Sequence, residues 1–155
     1  SPLPNWEALQ EVWQAMEAIV EAGGARQIGI SNCYQPELLE DLYQTARIKP
    51  AVLQNRFYPQ TGYDRQLRDF CRQNRIVYQS FWTLTANAAI LAQDAVLDLA
   101  QRYQRSPAQI FYRYLTQIGI VPLIGTTSNQ HMREDLAIFE FELLPTECES
   151  LDDLL

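Results

Sequence analysis

Five polar side chains that do not ionise near neutral pH follow short apolar segments, and their spacing could build one ligand site. Ser31 and Asn32, Gln54, and Gln79 and Ser80 each come directly after a run of apolar residues. Hydroxyl and carboxamide groups donate and accept hydrogen bonds, but they are poor general acids or bases. The set therefore suits a neutral amide or sugar ligand. The alternative is that these residues cap the helices that follow or bond one another.

A second motif is the segment 125–128, which reads Gly-Thr-Thr-Ser and stands directly before a predicted helix. Backbone N–H groups, hydroxyls and the positive end of the helix dipole give it the chemistry of an anion site, although it lacks the Gly-Lys-Ser/Thr of a P-loop. A plain turn with an N-cap residue is the alternative. On the helix, Glu134 and Asp135 could accept hydrogen bonds from an adenine amino group or form a solvated acidic face. We interpret His131 as a surface residue rather than a catalyst.

Alternating strands and helices are expected to position these residues. Short apolar runs predict four strands, at 27–31, 51–57, 76–81 and 119–124. The first three begin about 24 residues apart, and each leads through polar residues to a helix, which is typical of a parallel α/β sheet. A closed barrel of this kind needs eight strands. The sequence therefore predicts half of a (β/α)8 TIM barrel, with four parallel strands and flanking helices, as a single domain over residues 1–155.

Helical periodicity and end signals place the helices. Asn5 is the expected N-cap of the first helix and Asp64 of the third, and Ser106 begins a capping box that Gln109 completes. The long segment 82–93 is expected to form a site wall or lid, or else plain surface. The helices are predicted at 6–20, 36–46, from 65, 94–104, from 107, 129–138 and from 145.

Composition limits the classes of function. The 155 residues carry a net charge of −7, which argues against nucleic acid or an anionic membrane as the main partner. The three cysteines form no CxxC pair, so we expect reduced thiols in a cytoplasmic protein, and no metal constellation stands out. No apolar run is long enough to cross a bilayer, and the opening Ser-Pro-Leu-Pro is expected to be the start of an excised piece.

Several strings in order resemble the C-terminal half of the aldo-keto reductase family, from Trp6 to about Leu155. They are IGISN, PAVLQNRFYP, the helix that contains Phe70-Cys71 with the following strand and its Gln79-Ser80, SPAQI, and GTTS followed by HMREDLAIFEFEL. Each string alone is weak, and their order is what carries the resemblance. It implies a carbonyl reductase that uses NADP or NAD on a (β/α)8 barrel.

The resemblance also implies roles for individual residues. Ser31, Asn32 and Gln54 correspond to residues that hold the nicotinamide carboxamide. Ser80 and the segment 82–85, with Trp82 and Leu84, correspond to the wall around the pyrophosphate.

On the adenosine side, the resemblance implies contacts from the fourth strand's loop and its helix. Thr126 and Ser128 correspond to contacts on the phosphate side of the adenosine, and Glu134 and Asp135 to adenine contacts. His131 falls at a further cofactor position on the same helix.

Three departures from the family pattern stand out. Gln79 takes the place of a Tyr that stacks on the nicotinamide, and it cannot supply an aromatic face. Gly125 and His131 stand where Lys and Arg commonly bind a 2′-phosphate, which weakens the expectation of NADP over NAD. The family's catalytic Asp, Tyr, Lys and His lie on the first four βα units, so no catalytic residue is assigned in this chain.

The resulting hypothesis is the cofactor-binding half of an aldo-keto reductase-like oxidoreductase, inactive alone. Exposed strand edges predict association as a homodimer or with a complementary half-barrel. A small carbonyl substrate is expected only when the other half is supplied. The alternative is a non-catalytic nucleotide-binding or regulatory module.

Overall fold

Short strands and helices alternate along residues 6–155, the part of the chain that this computed structural model describes. The strands are β1 (Gly29–Ser31), β2 (Val52–Arg56), β3 (Val77–Phe81) and β4 (Ile120–Pro122). The helices are α1 (Trp6–Glu21), α2 (Pro36–Thr45), α3 (Arg65–Asn74), α4 (Ala88–Leu91), α5 (Asp94–Tyr103), α6 (Pro107–Gln117), α7 (Asn129–Leu136) and α8 (Pro145–Asp152). Short 3-10 turns cover Pro59–Asp64, Thr85–Asn87 and Ala137–Glu140.

The four strands form one sheet in the order β1-β2-β3-β4. β1 runs parallel to β2, with Gly29 opposite Val52 and Ser31 opposite Gln54. Glycine is needed at position 29, because a Cβ there would lie 2.6 Å from the carbonyl oxygen of Val52. The prediction of an α/β fold with four parallel strands and flanking helices is confirmed.

Predicted and observed element ends differ by a few residues, as is usual where ladders and helices fray. The strand predicted at 119–124 covers Ile120–Pro122, and the helix predicted at 129–138 ends at Leu136 before a 3-10 turn. The segment 82–93 contains a 3-10 turn and α4. The expected N-cap Asn5 lies outside the described residues.

The chain divides into two compact units. The first comprises the described residues up to Asn55 together with Asp64–Tyr78, and the second comprises Arg56–Tyr63 and Gln79–Leu155. The single domain expected from the sequence stays a prediction. None of the helices within residues 6–155 combines the length and apolar character needed to span a bilayer.

In the first unit, α1 packs through Trp13 against a core that includes Ile28 and Leu42. Trp13 Nε1 donates a hydrogen bond of 3.0 Å to the carbonyl oxygen of Ile48, in the segment that leads into β2. This bond gives the buried indole a polar partner and ties α1 to the start of the strand that carries Gln54.

The carboxylate of Glu17 completes this attachment and is itself 1% exposed. Its Oε1 accepts the backbone N–H groups of Arg47 and Ile48 at 2.7 and 2.9 Å, and its Oε2 accepts Arg47 Nε at 3.1 Å. Burial by itself would raise the pKa of Glu17, but the two N–H groups and the guanidinium together lower it. Glu17 is therefore held as an anion.

In the second unit, α6 lies at the centre of the core, with Phe111 and Tyr114 no more than 1% exposed. The predicted capping box at its start is confirmed, because Gln109 N donates to Ser106 Oγ at 3.2 Å and Ser106 N donates to Gln109 Oε1 at 3.0 Å. Tyr112 and Tyr114 on the same helix are 4% and 0% exposed. Two reciprocal hydrogen bonds therefore fix the residue at which α6 begins.

Candidate functional site

At the end of β1, Ser31, Asn32 and the backbone of Gln54 form a small hydrogen-bonded group. Asn32 N and Ser31 Oγ both donate to the carbonyl oxygen of Gln54, at 3.0 and 2.9 Å. Asn32 Nδ2 donates to Ser31 Oγ at 3.2 Å, and Tyr34 OH donates to Asn32 Oδ1 at 3.3 Å. Ser31 and Asn32 thus bond one another, and both remain exposed at the surface.

The loop that carries Asn32 has a backbone that few residues tolerate. Asn32 has a φ of +56°, a left-handed conformation in which Asn is strongly favoured among non-glycine residues. The next residue is fixed by buried Asn55, whose Oδ1 accepts Cys33 N at 3.0 Å and whose Nδ2 donates to Cys33 O at 2.6 Å. Both peptide groups of the turn are therefore held by one side chain.

Asp64 holds Asn55 in turn, and this corrects the sequence prediction that Asp64 caps α3. Its φ is +53° and its side chain makes no cap hydrogen bond. Instead, Oδ2 accepts Asn55 Nδ2 at 2.7 Å and Tyr78 OH at 2.8 Å, inside the protein. The hydroxyl of Tyr78 has a strongly raised pKa because of burial and the neighbouring Asp64. The Asp64 carboxylate therefore accepts hydrogen bonds from Asn55 and Tyr78 instead of from the N-terminus of α3.

At the end of β3, the predicted site residues take different environments. Ser80 is fully buried, and its Oγ lies 2.9 Å from Thr83 Oγ1. Gln79 lies on the opposite face of β3 and is half-buried. Trp82, which the family resemblance assigns to the wall around the pyrophosphate, is 53% exposed with a φ of +60°. It therefore contributes to a surface and not to the core.

Arg56 is a residue that the sequence reasoning missed. Its guanidinium carbon lies 3.9 Å from the centre of the Trp82 ring, and the rings of Tyr58 and Phe81 lie 5.5 and 6.0 Å away. A cation over an aromatic face is attractive. Side chains alternate between the two faces of a strand, so Arg56 lies on the same face of β2 as Gln54, two residues before it. This alternation is the signal by which the sequence could have indicated Arg56.

A cavity of about 630 Å³ beside α7 brings five predicted site residues together. We call it the α7 cavity. The five predicted site residues that line it are Leu84, Thr126, His131, Glu134 and Asp135. Ser106, Tyr112, Gly125 and a set of apolar side chains complete its lining. Gln79, Ser80, Trp82 and Ser128 do not line it.

The turn before α7 shows what the Gly-Thr-Thr-Ser motif does. Ser128 Oγ accepts His131 N at 3.3 Å, which makes Ser128 the N-cap of α7. Thr126 Oγ1 accepts Ser128 N at 3.1 Å. The N-cap alternative for Ser128 therefore matches the observed hydrogen bonds.

Carboxylates dominate the electrostatics of the α7 cavity. The pKa of Asp135 is raised because burial outweighs the nearby His131, and Glu134 adds to the rise. Burial and Asp135 raise the pKa of Tyr112 to about 12, so its hydroxyl keeps its proton. The cavity thus combines acidic acceptors with apolar walls, a mixture that suits a flat, neutral base carrying amino donors.

Comparison with known proteins supplies the identity of this arrangement. A sequence model of the Aldo/keto reductase family matches residues 2–155. The chain belongs to the aldo/keto reductase family. Among its relatives, "Uncharacterized oxidoreductase YtbE" of Bacillus subtilis is 32% identical over 145 residues, which cover 94% of this chain and 51% of that protein.

Two further comparisons show how much of a family member is present. "Probable NAD(P)H-dependent D-xylose reductase xyl1" of Emericella nidulans is 32% identical, over 97% of this chain and 54% of that protein. The crystal structure of an aldo/keto reductase from Brucella melitensis superposes with a TM-score of 0.86 at 25% identity, over 99% of this chain and 58% of that one. The chain spans about half the length of the curated relatives it matches.

Proposed function

We propose that this chain is the C-terminal, cofactor-binding half of an aldo-keto reductase and that it binds a nicotinamide dinucleotide. The α7 cavity would take the adenosine end, and Ser31, Asn32 and Gln54 would meet the nicotinamide carboxamide. When bound, the dinucleotide would supply the hydride for carbonyl reduction. The chain's own residues hold and orient it.

The observation that carries this proposal is the α7 cavity. Five residues that the family resemblance marks for cofactor binding line one cavity of about 630 Å³. Its acidic side chains can accept hydrogen bonds from the adenine amino group and the ribose hydroxyls. Its apolar lining, from residues such as Leu91 and Pro107, provides faces for the flat base.

Calorimetric titration with NADH and NADPH tests the proposal. Binding by the wild-type chain is expected, and absence of heat up to millimolar cofactor would contradict it. Ala108→Phe should weaken binding because Ala108 lines the α7 cavity and the added ring fills it. Ala89→Phe is the matched control, since Ala89 is exposed and does not line the cavity. Equal affinities for the two variants would mean that another site binds the cofactor.

Reduction itself is proposed to require a second polypeptide segment. Glu17 and Asp64, the two buried carboxyl residues described in the first unit, both accept hydrogen bonds from neighbouring groups of the same chain. We expect a mixture with the N-terminal half of a relative to reduce an aldehyde with NADH or NADPH. A rate no higher than that of either part alone would reject this.

We also propose that the chain associates through its sheet edges. β1 and β4 are the edge strands of the sheet, and edge strands offer unpaired backbone groups. Along β4 and its loop, Val121 and Ile124 are 44% and 40% exposed. A second copy would bring the number of strands to the eight of a closed barrel. Light scattering that finds only monomers at high concentration would refute this association.

A further inference from the structure

The α7 cavity is lined by acidic rather than strongly basic side chains. Glu134 and Asp135 face it, His131 is the one lining residue that can carry a positive charge, and no Lys or Arg is among the described lining residues. We infer that the cavity selects a dinucleotide without a 2′-phosphate. The chain therefore prefers NAD(H) to NADP(H), an inference that rests on the proposed function.

Charge is the first reason for this preference. A phosphate monoester carries between one and two negative charges at neutral pH, whereas the unmodified ribose offers a neutral hydroxyl. Glu134 and Asp135 would repel the phosphate at close range, and repulsion is strong where water is partly excluded. The same carboxylates can accept a hydrogen bond from the ribose hydroxyl.

The hydrogen bonding at the start of α7 is the second reason. An anion at a helix N-terminus binds through backbone N–H groups that have no other partner. Here His131 N donates to Ser128 Oγ and Ser128 N donates to Thr126 Oγ1. These two donors already serve the protein, so the turn offers fewer groups to a dianionic phosphate.

Two positions in the cavity lining, Gly125 and His131, allow a variant designed to bind a 2′-phosphate. A Cβ built on Gly125 meets no atom within 4 Å, so a side chain can begin at this position without a clash at its Cβ. Gly125→Lys combined with His131→Arg would place two permanent cations in the lining. Charge-assisted hydrogen bonds from these groups would favour a 2′-phosphate.

The test measures dissociation constants by calorimetry for NADH and NADPH, and for AMP and adenosine 2′,5′-bisphosphate, which differ only by the 2′-phosphate. The wild-type chain should bind NADH and AMP at least about tenfold more tightly than their 2′-phosphorylated counterparts. The double variant should bind NADPH at least about tenfold more tightly than wild type, so that its ratio of NADPH to NADH affinity rises by at least about tenfold. Circular dichroism checks that each variant is folded.

Gln101→Lys provides the control for Gly125→Lys, because it adds the same charge on the exposed surface of α5 and does not line the cavity. It should leave the ratio of NADH to NADPH affinity unchanged. Wild-type chain that binds NADPH as tightly as NADH would overturn the inference and leave the proposed function standing. If neither dinucleotide nor AMP binds at millimolar concentration, the proposed function fails and the inference fails with it.

Discussion

Replacing Glu17 with Gln tests whether one buried carboxylate fixes the segment that leads into β2. The wild-type anion accepts two backbone N–H groups and one guanidinium N–H. Hydrogen bonds to a charged group contribute about 1.5–3 kcal/mol each and neutral ones about 0.5–1.5 kcal/mol. The Arg47 side chain is 62% exposed, so its ion pair adds little. The loss should be about 2–3 kcal/mol, mainly from the two backbone bonds.

The assay is urea unfolding monitored by tryptophan fluorescence, to which Trp13, on the same helix and bonded to Ile48, contributes together with Trp6 and Trp82. Glu11→Gln is the matched control, because Glu11 lies on α1 but is exposed. For a chain of this length, the loss corresponds to a fall in Tm of about 4–12 °C. Equal unfolding free energies for the two variants, within about 0.5 kcal/mol, would refute the reasoning.

The pH dependence of the same comparison has a definite sign. The folded state lowers the pKa of Glu17 below its ordinary value of 4.5. Its contribution is therefore complete above that ordinary value and is lost as the pH falls through the lower, folded value. We expect the stability gap between wild type and Glu17→Gln to be constant from pH 6 to 8 and to shrink on acidification below about pH 4.5. A gap that widened in acid would contradict this.

Three further predictions concern other buried groups. Cys148, which is half-buried, should react with a disulfide reagent before Cys33 and Cys71, because burial excludes the reagent and raises their pKa values to about 11 and about 12. Colorimetric thiol counting at pH 8, with and without urea, checks this. Asn55→Ala should lower the unfolding free energy by about 3 kcal/mol, because it leaves the polar groups of the Cys33 turn unpaired, and urea unfolding measures it. Ser106→Ala should cost about 1 kcal/mol by removing the cap of α6, measured in the same way.

Elements defined by local signals could be predicted from the sequence. α1 was predicted at 6–20 and covers Trp6–Glu21, because its apolar residues repeat with helical spacing and Gly23-Gly24 ends it. The capping box of Ser106 and Gln109 depends on residues three apart, so their order in the chain suffices to identify it. The four strands followed from their β-branched runs and polar ends.

Features fixed by long-range partners could not be predicted in this way. Asp64 has the residue type and position of an N-cap, yet Asn55 and Tyr78 bind its carboxylate from β2 and β3. The stacking of the Arg56 guanidinium on the exposed Trp82 ring likewise joins residues from β2 and from the segment after β3. In both cases the side chain bonds or stacks on a residue from another strand or segment, so the local sequence pattern does not reveal the contact.

The register of β2 determines which of its polar residues could meet a ligand. Asn55 is fully buried and holds the Cys33 turn, while Gln54 lies on the other face of the strand, opposite Ser31 in the ladder. Because side chains alternate along a strand, a slip of one residue would bury Gln54 and turn Asn55 away from its partners. Gly29 opposes such a slip, since only a residue without a Cβ can lie so close to Val52. A single glycine therefore helps to set the register in which Asn55 points towards the Cys33 turn and Gln54 lies on the opposite face of β2.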